Sequence, residues 1–284
     1  MTTRYGYPSN GGPSYDDDVE RGVRRVDLTT GVSVSFEEWG DRSGQTVILL
    51  HAWAESLHSF DRLKSLLPNS FHLVAMDQRG HGDADKTVDG YDLESLASDV
   101  VAFMDAIGLS SAVLAGSSSG GYVAQQVAVR NPARVVGLVL IGSPRSLRGR
   151  PTFADELALL TDPVDPVWAR TFVRNFPLHH EVPQWYLDDR VSDAVRMPAE
   201  VWRSSLAGLT TSPAPIETGS ISVPTLIIWG DRDDLLAEQD EQALAAEISG
   251  SRLLVYEGVG HLVLWEQPER LAADVAEFVY ATVP

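Results

Sequence analysis

Short apolar runs, each about the length of a strand, alternate along this chain with stretches of helical period. The runs fall at 46–50, 71–76, 112–115, 135–141, 225–229 and 253–256. Continuous apolar segments of that length suit strands buried on both faces, and such strands belong to parallel sheets covered by helices. The best helix between them spans 92–107, where Leu93, Leu96, Ala97, Val100, Phe103, Met104 and Ile107 form one stripe at three- and four-residue steps. Asp92 suits its N-cap and Gly108 its stop. Further helices are predicted over 120–130, closed by Asn131-Pro132, and over 268–280, with Pro268 in the first turn. The alternation predicts an α/β fold with a mostly parallel sheet and helices on both faces. A hairpin precedes it, in which 26–29 and 32–36 alternate in polarity around the turn Thr30-Gly31.

The rhythm breaks between Ser143 and Glu217. That segment has no strong strand run, and it carries repeated prolines together with Trp168, Trp185 and Trp202. Several short helices are expected there, inserted between two core strands as a cap. The expected organisation is a core of 21–143 and 217–284, a helical cap of 144–216, and a flexible tail of 1–20. The tail is rich in Gly, Ser, Asn and Asp and offers little to bury.

Composition removes several functions. The chain of 284 residues has 22 Lys+Arg against 40 Asp+Glu, a net charge of −18, which repels phosphate backbones. Arg145, Arg148 and Arg150 make only a short basic run, so no nucleic-acid partner is expected. With no cysteine there is no thiolate metal site and no thiol nucleophile, and covalent catalysis must use another side chain. No apolar run approaches the ~18–20 residues of a membrane span, and the N-terminus lacks the order of a signal peptide. The expectation is therefore a cytoplasmic protein with no membrane partner. His51, His58, His72, His81, His179 and His180 show no metal-ligand spacing with carboxylates, so neither a metal nor a cofactor is expected. The pair His179-His180 is expected to be exposed on the cap.

One cluster carries chemistry. Gly116-Ser117-Ser118-Ser119-Gly120-Gly121 follows a strand run and precedes a helix, the context of a G-x-S-x-G nucleophile elbow. Of the three serines only Ser118 has glycine two places to either side. A flexible Ser/Gly turn or a phosphate-binding loop is the plain alternative. The partners follow in the order Ser, acid, His. Asp231, Asp233 and Asp234 lie just beyond the run 225–229, and His261 lies beyond 253–256 between Gly260 and the apolar Leu262-Val263-Leu264-Trp265. Any of the three carboxylates could face the crevice at the C-terminal ends of the strands.

From about residue 24 onward these residues resemble the α/β-hydrolase superfamily. Leu49-Leu50-His51-Ala52-Trp53, Asp77-Gln78-Arg79-Gly80-His81-Gly82, the elbow at Ser118 and the Asp and His loops match its markers in order. The resemblance implies an eight-stranded, mostly parallel sheet with a helical cap inserted after the sixth strand. It places the pattern G-x-x-D on Gly230 and Asp233, making Asp233 the acid, with Asp231 and Asp234 as runners-up. Ser118 is then the nucleophile and His261 the base, while the backbone N–H groups of Trp53 and Ser119 form the oxyanion hole. The segment 77–82 is expected to be structural, with Arg79 pinning loops. One departure is His51-Ala52, where the family usually has His-Gly, and alanine lacks glycine's freedom at positive φ.

The implied activity is hydrolysis of a carboxylic ester or lactone through an acyl-enzyme. Trp53, Trp168, Trp185 and Trp202 are the candidate substrate contacts, with Phe153, Phe172, Phe176 and Tyr186 nearby in the cap, and they suggest a small apolar or aromatic substrate. The alternatives within this fold are a carbon–carbon bond hydrolase and a cofactor-free perhydrolase or haloperoxidase. A ligand-binding receptor on the same scaffold is the non-enzymatic alternative. Relatives with aspartate at the elbow are disfavoured because position 118 is serine.

Overall fold

The structure is a computed structural model that describes residues 22–149 and 153–282. The expected tail at 1–20 lies outside the described residues. Among them, eight strands form one sheet: β1 (Arg24–Asp27), β2 (Ser33–Gly40), β3 (Thr46–Leu50), β4 (His72–Met76), β5 (Ala112–Ser117), β6 (Val135–Ile141), β7 (Thr225–Gly230) and β8 (Arg252–Tyr256). Their order is β1-β2-β4-β3-β5-β6-β7-β8. The hairpin β1–β2 and the pair β2–β4 are antiparallel, and the pairs from β4 to β8 are parallel.

Register places the site. Leu50 pairs with Gly116, Ser117 with Ile141, Ile141 with Ile228, and Gly230 with Tyr256. The loops after β3, β5, β7 and β8 therefore leave one edge of the sheet together. The chain turns from one side of β3 to the other between β4 and β5, which makes the crevice beside β3 and β5 the topological switch point where such sheets bind ligands.

Apolar alternation within the strands feeds a core on each face. Val47 and Leu49 belong to one buried cluster, Ile48 and Leu50 to the other. The first is covered by α1 (Asp61–Lys64) and α11 (Pro268–Thr282), the second by α2 (Leu93–Ala106), α3 (Ser119–Arg130) and α9 (Glu238–Glu247). Asp92 caps α2 as expected, its side chain accepting the Ser95 N–H at 2.9 Å. Strand β8 departs from the expectation of burial on both faces. It is the edge strand, and Arg252 and Val255 are exposed.

Between β6 and β7 lie α4 (Ala154–Ala158), α5 (Pro166–Arg174), α6 (Gln184–Arg196), α7 (Ala199–Thr211) and α8 (Pro215–Thr218). Proline sets their segmentation. Pro166 and Pro215 open α5 and α8, and Pro183 and Pro198 are the N-caps of α6 and α7. At these positions the missing N–H costs nothing, whereas inside a helix it would break the ladder. The helical insertion ends at Thr218, just past the expected boundary.

Candidate active site

Ser118 occupies the turn between β5 and α3 with φ 47° and ψ −117°, a backbone that side-chain-bearing residues rarely adopt. The flanking glycines are required by contact. A Cβ at Gly116 would fall 2.3 Å from the Gly121 nitrogen, and one at Gly120 would fall 2.2 Å from the Leu50 carbonyl oxygen. Strand and helix meet too closely there for any side chain.

His261 comes to this turn from the loop after β8. Its Nε2 lies 3.0 Å from Ser118 Oγ and its Nδ1 lies 2.8 Å from Asp233 Oδ2. A carboxylate only accepts, so Nδ1 carries the proton and donates to Asp233, leaving the Nε2 lone pair for the serine hydroxyl. The Asp233 side chain is wholly buried, and its Oδ1 accepts the N–H groups of Leu235 and Leu236 at 2.8 and 2.9 Å. The other two aspartates do not meet the histidine. Asp231 Oδ1 accepts the Gly258 N–H at 2.6 Å and ties the two turns together, and Asp234 is exposed.

The expected oxyanion donors border the same cavity as Ser118. Ser119 is the first residue of α3, so its N–H has no intrahelical acceptor. The Trp53 N–H has no hydrogen-bond acceptor among the described residues. Ala52, at the position where the resemblance leads one to expect glycine, does not adopt positive φ; the left-handed residue of this loop is Ala54, with φ 66°. His51 is buried, bonded through Nδ1 to the Ala52 carbonyl and through Nε2 to the Gln78 N–H, and burial holds its pKa well below the usual histidine range. Asp77 and Arg79 are used structurally. Asp77 accepts the N–H groups of Leu57 and Asp83, and Arg79 makes a two-pronged ion pair with Asp99 of α2.

The cavity has a volume of about 130 Å³. Trp53, Phe153, Phe172 and Phe176 wall it, and the Phe176 ring faces the His261 ring at 6.2 Å with an interplanar angle of 25°. Trp168, Trp185 and Trp202 do not line it, which departs from the sequence expectation, whereas Trp265, which follows the histidine loop, does. Trp185 is 43% exposed and packs against Tyr186. Trp202 is fully buried behind the wall, edge-on to Trp53 and Phe172, with its Nε1 donating to the Ala194 carbonyl. Trp168 stacks on Phe172 from outside. Tyr186 is buried too, its hydroxyl donating to the Ser59 carbonyl.

Sequence reasoning passed over Glu266. Its Oε2 accepts the N–H groups of His179 and His180 at 2.8 and 2.9 Å, and its Oε1 accepts the Gly260 N–H at 3.1 Å. One buried carboxylate thus joins the α5–α6 connection to the residue before His261. The side chains of His179 and His180 stay exposed. Among the described residues no group of three or more His, Asp or Glu gathers as a metal site, and no helix is long and apolar enough to cross a membrane.

Residues 47–274 match the model of the alpha/beta hydrolase family. The chain belongs to that family. It is 28% identical to a non-heme chloroperoxidase from Streptomyces lividans over 273 residues, 89% of this chain and 98% of that protein. It is 27% identical to a bifunctional esterase/perhydrolase from Acinetobacter calcoaceticus over 272 residues, again 89% of this chain and 98% of that protein. Among solved structures it resembles an esterase from Exiguobacterium antarcticum, with a TM-score of 0.79 and 26% identity over 90% of this chain and 98% of that one. This alpha/beta hydrolase therefore keeps a serine, a histidine and a buried carboxylate in contact at the switch point of its sheet.

Proposed function

We propose that the protein is a serine esterase that cleaves a small carboxylic ester or lactone, with the helices between β6 and β7 acting as its cap. The observation that carries this reading is the unbroken relay from Ser118 Oγ through His261 to Asp233 beside an apolar cavity. His261 Nε2 takes the Ser118 proton as Oγ attacks the acyl carbon, and Asp233 stabilises the imidazolium. The N–H groups of Trp53 and Ser119 receive the tetrahedral oxyanion, each worth roughly 3 kcal/mol. His261 then gives the proton to the leaving alkoxide. In the second half His261 deprotonates water, the hydroxide attacks the acyl carbon, and Ser118 regains its proton as the acid departs.

The cavity size sets the expected substrate. An apolar cavity of about 150 Å³ binds benzene, so a volume of about 130 Å³ suits an aryl ring or a short branched chain in the ester. Ser118→Ala should abolish turnover of p-nitrophenyl acetate and leave the thermal unfolding midpoint unchanged. Retention of most of the rate would sink the assignment.

The names of two relatives favour a second reaction at the same site, in which hydrogen peroxide replaces water at the acyl-enzyme. Acyl transfer to peroxide gives a peracid and regenerates Ser118. Bromination of monochlorodimedone that needs acetate, peroxide and bromide, and that is lost in Ser118→Ala, would support it.

A further inference from the structure

A second cavity lies beside the active-site cavity. It has a volume of about 180 Å³ and is lined by α5, α6 and the connection that joins them. Pro177, Leu187 and Val191 make its interior apolar. The polar residues that border it, Arg170, Arg174 and Gln184, are exposed at its rim. There Asp188 Oδ1 accepts from Arg170 Nη1 and from Gln184 Nε2, each at 3.0 Å.

The two cavities share a wall. On α6, Leu187 and Val191 stand one turn apart and border the second cavity, whereas Ala194, three residues further on, borders the first. On α5, Phe172 borders the first, Arg170 and Arg174 border the second, and Val173 borders both. Neighbouring stripes of each helix thus face neighbouring cavities. Among the described residues only Val173 and Phe176 border both, and Phe176 has much the larger side chain. Its ring packs against Phe172 at 5.5 Å, against Phe153 at 6.0 Å and against the His261 ring. The backbone around it is anchored on both sides. Asn175 N–H donates to the Phe172 carbonyl at 3.0 Å, and Glu266 accepts the N–H groups of His179 and His180. The ring is held in place between the two spaces.

We propose that Phe176 sets the length of substrate the site accepts. Its ring closes the active-site cavity off from an apolar space that would otherwise hold the far end of a longer, uncharged alkyl chain. The inference rests on the esterase reading for what occupies the first cavity. With the ring present, about 130 Å³ takes a group of roughly benzene's size. With the ring removed, the chain gains about 180 Å³ of further space, and each methylene buried there strengthens binding about fourfold.

The test compares short and long esters on each side of the bond. The acyl pair is p-nitrophenyl acetate and p-nitrophenyl octanoate, and the alcohol pair is ethyl acetate and octyl acetate. In the wild-type protein kcat/KM should fall from the short member to the long one in at least one pair. In that pair Phe176→Ala should raise the long-to-short ratio by about 10- to 100-fold, the gain from burying two or three more methylenes. A ratio cancels any effect of the lost ring on His261 itself. Phe176→Leu should shift the ratio the same way by less, and it replaces the alanine variant if that one fails to fold. Leu187 borders only the second cavity, so Leu187→Trp alone should leave the wild-type ratios unchanged. Combined with Phe176→Ala, it should return the ratio to the wild-type value. A gain that survives Leu187→Trp would come from general loosening and would overturn the assignment, as would a wild-type protein that cleaves the long members of both pairs as well as the short ones. Calorimetric binding of 2-pentanone and 2-decanone, which present a carbonyl but are not hydrolysed, gives a readout free of turnover. It decides the question if the wild-type protein cleaves none of the esters, an outcome that overturns the esterase reading alone. A rise in the relative affinity for 2-decanone in Phe176→Ala then sustains the partition. Unchanged ratios in rates and in binding overturn the partition and leave the esterase standing.

Discussion

Asp233 is one of three aspartates in a four-residue stretch, and only its side chain turns inward to the histidine. The distinction predicts unequal effects. Asp233→Asn offers His261 Nδ1 an amide in place of a pure acceptor and destabilises the tautomer the serine needs. By analogy with the same change in a serine protease, kcat should fall by about 10⁴-fold. Asp231→Asn should cost less than about tenfold, because among the described residues that carboxylate bonds the Gly258 N–H and not the histidine. Steady-state rates on p-nitrophenyl acetate would check both, and a larger loss in Asp231→Asn would contradict the assignment. The loop after β3 invites a second comparison. Ala54 holds a left-handed φ of 66° and Ala52 does not. Ala52→Gly should therefore destabilise the fold by about 0.5–1 kcal/mol through the unfolded state and bring no gain in rate. Ala54→Gly should be near neutral, since relief of about 1–2 kcal/mol of left-handed strain offsets the added chain entropy. Urea unfolding separates the two.

The short helix α10 (Val263–Glu266) links the histidine loop to the helices between β6 and β7. Its Glu266 accepts three backbone N–H groups, two from the α5–α6 connection and one from Gly260. Glu266→Ala strands all three, at about 1–3 kcal/mol each where they stay buried. The expected result is a clear fall in the unfolding midpoint together with a fall in kcat, because Gly260 precedes His261. Glu266→Gln keeps one acceptor and should recover part of both. A stable Glu266→Ala protein with unchanged kcat would show that the cap connection does not position the histidine. These contacts also show where sequence stops being informative. Five of the strands are legible from apolar runs because a buried strand needs an unbroken one, and the edge strand β8 shows such a run although it is half exposed. The elbow could be read because its glycines answer a local contact between strand and helix. Helix α9 escaped notice because it buries only Leu244 and Glu241 and so presents no apolar stripe. Trp168 and Trp202 show that an aromatic residue on a short helix does not declare whether it faces the cavity or the layer behind it, and Trp185 shows that it need not be buried at all. Glu55 and Glu266 are not legible in the sequence because Trp265, His179 and His180, which they meet, lie far along the chain in no repeating pattern.

Two buried groups near the β4 end give the whole fold a readable response to acid. Burial holds His81 down at about 4 from an ordinary 6.5, and burial pushes Asp77 up to about 6 from an ordinary 3.8. The unfolded chain binds a proton at His81 that the folded one refuses. The His81 contribution is thus present above about pH 6.5 and is lost as pH falls through about 4. Asp77 runs the other way. The folded chain holds its proton more tightly, so its contribution is full below about pH 3.8 and is lost as pH rises through about 6. At 1.36 kcal/mol per unit each shift is worth roughly 3 kcal/mol, and the two nearly cancel across the same window. His51, also held low by burial, acts in the sense of His81 and tips the balance toward loss of stability in acid. Removing one side of the balance exposes the other. Asp77→Asn should steepen the fall in unfolding free energy between pH 6.5 and 4 by roughly 3 kcal/mol, and His81→Gln should flatten it by a similar amount. Urea titrations across that range read the slope and are indifferent to any constant offset from the substitutions. Equal slopes in both variants and the wild type would mean that Asp77 and His81 take up protons alike in the folded and unfolded chains.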